Sequence, residues 1–330
     1  MKKFIDTVDN FLHESLEGFA KAHSDIIDFN TEPRHIKRKT LKQPGKVVLI
    51  SGGGSGHEPL HIGFVGKGML DAACPGQIFT SPSPDQMLAA AEAVEQGGGV
   101  LFIVKNYAGD VMNFEIASEI LEAANASVIV SDDVSLPKDH STGRRGVAGT
   151  LIVEKMVGAA AETGATLAEC KALGDRINLA TASMGVALTS CTVPALGQPT
   201  FAIGDNEMEI GVGIHGERGR ETVPLKSASE IVEHVATIID DDLNPQKGQE
   251  ILLHINGFGG TPLTELYLIY GLATKFWEQR GLVIARSLVG NYTTALDMAG
   301  CSITITLLDD ELKRMWDAPV HTASLRWGDQ

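Results

Sequence analysis

The sequence predicts an α/β protein of two domains, each a largely parallel or mixed sheet flanked by helices. Three observations carry that expectation. From residue 46 onward, short apolar runs rich in β-branched residues alternate with stretches of helix formers. Glycine, at 36 of 330 residues, recurs where those runs end, as the turns of such folds require. The length is enough for two cores.

The elements follow in order. Phe4, Ile5, Val8, Phe11, Leu12, Leu16 and Phe19 fall at helical spacing among polar residues, which predicts an amphipathic helix docked on the body, neither a signal peptide nor a membrane span. The runs KVVLIS (46–51), GVLFIVK (99–105) and ASVIVSDD (126–133) read as buried parallel strands. Helical spacing over Asp85–Gln96 and Phe114–Ala124 supplies the crossovers between them. Two alanine-rich helices are expected within 146–182. Strands follow at 183–193 and 207–216, then a helix at 227–240, a strand at 250–257, a helix after Thr261-Pro262, and strands at 281–287 and 302–308. The acidic segment IIDDDLNPQKGQE reads as a connecting loop. These assignments place one domain at 1–183 and the second at 184–330, with the tail 316–330 expected to pack back on the first.

Composition narrows the function. A formal net charge of -15 disfavours nucleic acid as a partner. No apolar run reaches the length of a membrane span. Cys74, Cys170, Cys191 and Cys301 are scattered, with no C-x-x-C pair, so neither a zinc site nor a disulfide framework is expected and a reducing, cytoplasmic setting fits.

The stretch ISGGGSGHEPLHIG (50–63) resembles the glycine loops that cradle phosphate, but its spacing does not match them. In a G-x-G-x-x-G reading from Gly52 or Gly54, the last glycine is replaced by His57 or Pro59. A P-loop ending at Gly66-Lys67 would need glycine at His61 and a hydroxyl at Gly68. A nucleotide is therefore not expected there, and the loop is open to something smaller, with His57 at its end.

Four residues are candidates for chemistry. His57 either starts a helix or serves a site; Asp110, in KNYAGDVMNFE, is either the N-cap of a helix from Val111 or a functional carboxylate. His215, in GVGIHGERG, is either held by turn carbonyls or presented to a ligand between glycines. Lys105 ends a buried strand and must reach solvent or an acceptor. Asp132-Asp133 lacks a third ligand for a metal and reads as a solvated strand end, and no metal site is expected in the chain. Arg144 and Arg145 suit either an anionic partner or nearby acids.

Taken together, SGGGSGHEP (51–59), CPGQIFTSPSPDQM (74–87), KNYAGDVMNFE (105–115), GRRGVAGTLIVEKMVGAAAE (143–162), SCTVPALGQPTF (190–201), NEMEIGVGIHGE (206–217) and WDAPVHTASLRWG (316–328) resemble the substrate-binding K subunits of dihydroxyacetone kinases, over the whole chain and in the same order. The resemblance implies that His215 bonds covalently to the substrate carbonyl as a hemiaminal. It also implies that Gly54, Ser55, Gly56, His57, Lys105 and Asp110 contact the short polyol, and that His57 and Asp110 assist proton removal from its terminal hydroxyl. Selectivity against glycerol, which has no carbonyl, would follow.

The same resemblance points to the phosphotransferase-system type of kinase. It implies no cofactor in this chain, with ADP and Mg²⁺ carried by a separate L subunit that is recharged through an M subunit from phosphoenolpyruvate. A homodimer is implied. Two departures stand out: Ala108 where many relatives have Thr, and a short segment before Arg144 and Arg145. The runner-up is a dihydroxyacetone-sensing paralogue that co-regulates transcription without kinase activity. A third reading, a nucleotide-binding enzyme, is weakened by the failed glycine fingerprints.

Overall fold

The computed structural model describes residues 2–41 and 44–328. Its first elements are α1 (Phe11–Ala22), β1 (Ile27–Thr31), β2 (Arg34–Arg38), β3 (Val48–Ser55), β4 (Gly66–Lys67), β5 (Ala72–Ile78), α2 (Pro84–Val94) and β6 (Val100–Lys105). Then come α3 (Ala108–Ile120), β7 (Asn125–Val130), α4 (Gly149–Glu162), α5 (Leu167–Leu179), β8 (Thr181–Ala187), β9 (Glu207–Ile210) and β10 (Glu221–Pro224). The last are α6 (Ala228–Leu243), β11 (Glu250–Gly257), α7 (Leu263–Gln279), β12 (Val283–Gly290), β13 (Gly300–Leu308), α8 (Asp310–Asp317), β14 (Val320–Thr322) and β15 (Arg326–Trp327).

Two compact units emerge, and they are not divided by one cut at 183/184. The first takes the described residues of Met1–Val130, Thr150–Arg176 and Arg314–Gln330; the second takes Ser131–Gly149 and Ile177–Lys313. The physical reason is the sheet: β8, which spans the expected boundary, is an interior strand of the second sheet. Residues 131–149 join it through the bridge from Asp133 to Ser183.

In the first unit the sheet order is β1-β2-β5-β3-β6-β7. Strands β5, β3, β6 and β7 run parallel, and the β1-β2 hairpin adds on antiparallel. Val48, Ile50, Val100, Phe102 and Val104 form a core with Met87 and Ala91 of α2 and Phe114 of α3. A small sheet, β15-β14-β4, joins the tail to residues 66–67. The second unit's sheet, β10-β9-β8-β13-β11-β12, is mixed, with only β11 and β12 parallel. Its core combines α6 (Val232, Val235, Ile239), α7 (Leu266, Phe276, Trp277) and strand residues such as Leu253 and Ile305.

Several expectations need correction. The first helix begins at Phe11, leaving Phe4 and Val8 exposed, and it buries only Leu12 and Leu16. The supposed glycine loop is largely strand: Gly52, Gly53 and Gly54 continue β3, fully buried. The strand expected at 207–216 stops at Ile210, where Gly211 takes φ +73°. Helix α6 runs through the acidic residues to Leu243 and ends on Asn244 in the left-handed region. The β1-β2 hairpin, β5 and β10 carry no clear alternation of apolar residues and were not predicted.

Candidate functional site

Gly54, Ser55, Gly56, His57, Lys105 and Asp110 all belong to the first unit, and His215 belongs to the second. Ser55, Lys105 and Ile78 end parallel strands β3, β6 and β5, and ligands of open α/β sheets bind at this carboxyl edge. The glycines of β3 serve close approach. A methyl at Gly52 would lie 2.6 Å from the Cys74 carbonyl oxygen, and one at Gly54 would lie 2.6 Å from the Thr80 nitrogen. At Gly53 it would lie 2.2 Å from Lys105 Nζ. The triple glycine thus lets the lysine ammonium and the segment after β5 close on the strand.

His57 does not start a helix. It is fully buried, and its ring stacks on Phe79 with centroids 5.0 Å apart. Phe79 holds φ +53°, an unfavourable conformation for an aromatic residue. It is fixed by its N–H donating to the Ser55 carbonyl at 2.9 Å, while Ser55 Oγ donates to Gly76 O at 2.7 Å. Gly56, at φ +103°, turns the chain, and its N–H donates to the Glu58 carboxylate.

Asp110 is not an N-cap either. Helix α3 starts at Ala108 behind Tyr107, so Asp110 sits inside the first turn. It is 1% exposed, yet neither carboxylate oxygen has a hydrogen-bond partner among the described residues. The Lys105 ammonium is 3.5 Å from Oδ2. A buried carboxylate left unused by the backbone is costly as structure, which points to a partner supplied by a ligand.

Lys105 meets acceptors instead of snorkelling. Its Nζ lies 2.9 Å from His61 Nε2 and 3.4 Å from the Gly52 carbonyl. His61 Nδ1 lies 2.6 Å from Glu154 Oε1 and 2.9 Å from Ser51 Oγ. Burial, together with the charges of Lys105 and His57, holds the His61 imidazole well below its ordinary value, in the neutral form. Burial pushes the Glu154 carboxyl up to about 8, against the pull of Lys105. The sequence reading missed His61 and Glu154. One signal was present: the pair Glu154-Lys155 interrupts an otherwise apolar helix, and both residues are fully buried.

In the second unit, His215 lies in the loop after β9, half-buried. Its N–H donates to Glu217 Oε2 at 2.8 Å, and Arg145 Nη1 donates to Glu217 Oε1 at 3.0 Å. Arg145 also donates to Asp133 Oδ2, Ser135 Oγ and the Gly211 carbonyl. The loop glycines are already crowded: a methyl at Gly213 would meet Glu217 and Arg145, and one at Gly216 would meet Cys191 and Thr200. Their bareness therefore serves the packing of this loop.

Asp132 and Asp133 are buried, not solvated. Asp132 accepts from Val147 N, Gly149 N and Ser183 Oγ, and burial raises both carboxyls against these bonds and the Arg145 charge. Arg144 forms a bidentate pair with Asp242 at 3.0 and 2.7 Å. Among the described residues, no group of three or more His, Cys, Asp or Glu is placed to hold a metal ion, and no helix is long and apolar enough to cross a membrane.

Comparison with known proteins identifies the family. A family model described as Dak1 domain matches residues 17–324. The chain is 44% identical to the Escherichia coli "PEP-dependent dihydroxyacetone kinase, dihydroxyacetone-binding subunit DhaK", covering 99% of this chain and 100% of that protein. Its fold superposes on the "dihydroxyacetone kinase operon co-activator Dha-DhaQ" with a TM-score of 0.90 at 30% identity, over 94% of this chain and 97% of that one. It also superposes on the dihydroxyacetone kinase of C. freundii with a TM-score of 0.87 at 35% identity, over 98% of this chain and 60% of that one. With its mixed sheets flanked by helices and its glycine-rich strand beside a buried lysine and carboxylate, the chain belongs to the Dak1 domain family.

Proposed function

We propose that this chain is the dihydroxyacetone-binding subunit of a phosphoenolpyruvate-dependent dihydroxyacetone kinase. His215 adds to the ketone: a neutral ring nitrogen forms a bond to the carbonyl carbon, the carbonyl electron pair moves to oxygen, and the proton lost by the imidazole ends on that oxygen. Gly54, Ser55, Gly56 and Lys105 contact the polyol, and His57 and Asp110 assist removal of the proton from the terminal hydroxyl as it attacks phosphorus. The phosphoryl group comes from nucleotide and Mg²⁺ held by an L subunit, recharged through an M subunit from phosphoenolpyruvate. The chain works as a cytoplasmic homodimer.

The observation that carries this proposal is the Asp110 carboxylate, buried at the carboxyl edge of a parallel sheet, beside the Lys105 ammonium and without hydrogen bonds of its own. The 44% identity to a subunit named for binding dihydroxyacetone supports it across nearly the whole chain. The fold of the operon co-activator favours a second reading, a sensor that binds the ketone without phosphorylating it. A sensor has no use for a base at the hydroxyl.

One assay separates them: transfer of phosphate from phosphoenolpyruvate to dihydroxyacetone by purified L and M proteins, with and without this chain. Dihydroxyacetone phosphate forming only in its presence is the expected result. Binding of dihydroxyacetone with no turnover supports the sensor instead.

A further inference from the structure

The contact between Lys105 and His61 fixes a proton arrangement. A lysine ammonium has three donors and no acceptor, so at 2.9 Å its Nζ donates and His61 Nε2 accepts. The imidazole, neutral in this setting, must then carry its proton on Nδ1, which donates to Glu154 Oε1 at 2.6 Å. Ser51 Oγ lies 2.9 Å from the same Nδ1 and has the Ile103 carbonyl at 2.7 Å as an acceptor for its own proton, which leaves it able to accept from Nδ1. A chain of directed hydrogen bonds therefore runs from Glu154 on α4 through His61 to Lys105 at the end of β6, and Lys105 faces Asp110.

All four residues are buried, and the two ends of the chain lie on different elements. Without His61, the lysine would lose its shortest contact and keep only the longer ones to Gly52 O and Asp110 Oδ2. We propose that His61, oriented by Glu154, is a positioning residue that holds the Lys105 ammonium against the Asp110 carboxylate. This deepens the kinase reading and rests on it only for the activity measurement.

The test has two parts. The first needs neither substrate nor partner: in protein labelled with ¹⁵N-histidine, the His61 signals, assigned by their loss in His61→Gln, report the tautomer. The Nδ1–H form is expected, and Glu154→Leu is expected to erode it while Glu154→Gln, which keeps an acceptor oxygen, preserves it. An Nε2–H tautomer in the wild-type protein overturns the proposal, whether or not any variant folds.

The second part uses reconstituted phosphotransfer. Misplacing a group at a reacting centre can cost about 10²-fold, so His61→Leu is expected to lower kcat by about tenfold or more, with KM for dihydroxyacetone changed far less. His61→Gln, whose amide oxygen can accept from Nζ, is expected to recover most of the loss. Leu and Gln variants that both match wild-type kcat contradict the proposal. If the wild-type chain supports no transfer, the kinase reading fails, while the tautomer result still decides the role of His61.

Discussion

Glu217 accepts the backbone N–H of His215 at 2.8 Å and is itself gripped by Arg145 through its other oxygen. The loop that presents the imidazole is thus pinned by a carboxylate two residues on. Glu217→Ala removes the acceptor and leaves Arg145 with Asp133, Ser135 and the Gly211 carbonyl. The equilibrium constant for adduct formation is expected to fall about tenfold, the equivalent of roughly 1.4 kcal/mol. Titration with carbonyl-¹³C dihydroxyacetone measures it, and an unchanged titration would show that the loop orients itself.

For His57 and Asp110, binding and turnover should part company. A group that moves a proton in the transition state is worth about 10²-fold or more in rate. His57→Ala and Asp110→Asn are therefore expected to form the adduct yet lose that much phosphotransfer. Full turnover in His57→Ala would reduce that ring to the stacking partner of Phe79.

Gly53 tests the close approach at the strand. A methyl there would lie 2.2 Å from Lys105 Nζ and 3.3 Å from His61 Nε2. Gly53→Ala must push the ammonium aside, and overpacking of a buried site typically costs about 1–3 kcal/mol. Urea denaturation should show that loss together with reduced turnover. An alanine variant with wild-type kinetics would mean that the lysine position is not critical.

The course of β3 explains where the sequence was legible and where it was not. Elements with strong periodicity, such as β11 and α7, were readable because their apolar residues face one core. Gly52, Gly53 and Gly54 read as a loop because glycine carries no side-chain signal, yet neighbouring atoms need the space they leave. His57, Lys105 and Asp110 are visible as polar residues at strand ends or helix starts, and of the two readings open for His57 and Asp110 the structure removes the helix-start and N-cap ones. His61 and Glu154 were hidden because their partnership spans 93 residues. The unit boundary failed for a similar reason: β8 pairs with β13 far along the chain.

His254 gives a pH prediction. It is fully buried in β11, donates from Nδ1 to the Leu288 carbonyl, and burial lowers it to about 4 against that hydrogen bond. Because the folded value lies below the unfolded one, the unfolded chain binds the proton first as pH falls. Stability from this residue is full above about 6.5 and is lost as pH falls toward 4. Between pH 8 and 5 the loss is on the order of 2 kcal/mol. His254→Gln, with nothing to titrate there, should lose less stability over that interval by about this amount in urea unfolding. Identical slopes in the two proteins would count against the burial effect.

The proposed bond between His215 and the ketone carbon has a direct spectroscopic test. With dihydroxyacetone ¹³C-labelled at its carbonyl and protein ¹⁵N-labelled at histidine, the bound carbon is predicted to resonate as a tetrahedral centre coupled to a ring nitrogen, and the signal should vanish in His215→Ala. A bound ketone that stays trigonal, or the same coupling persisting in His215→Ala, would contradict covalent capture at this residue.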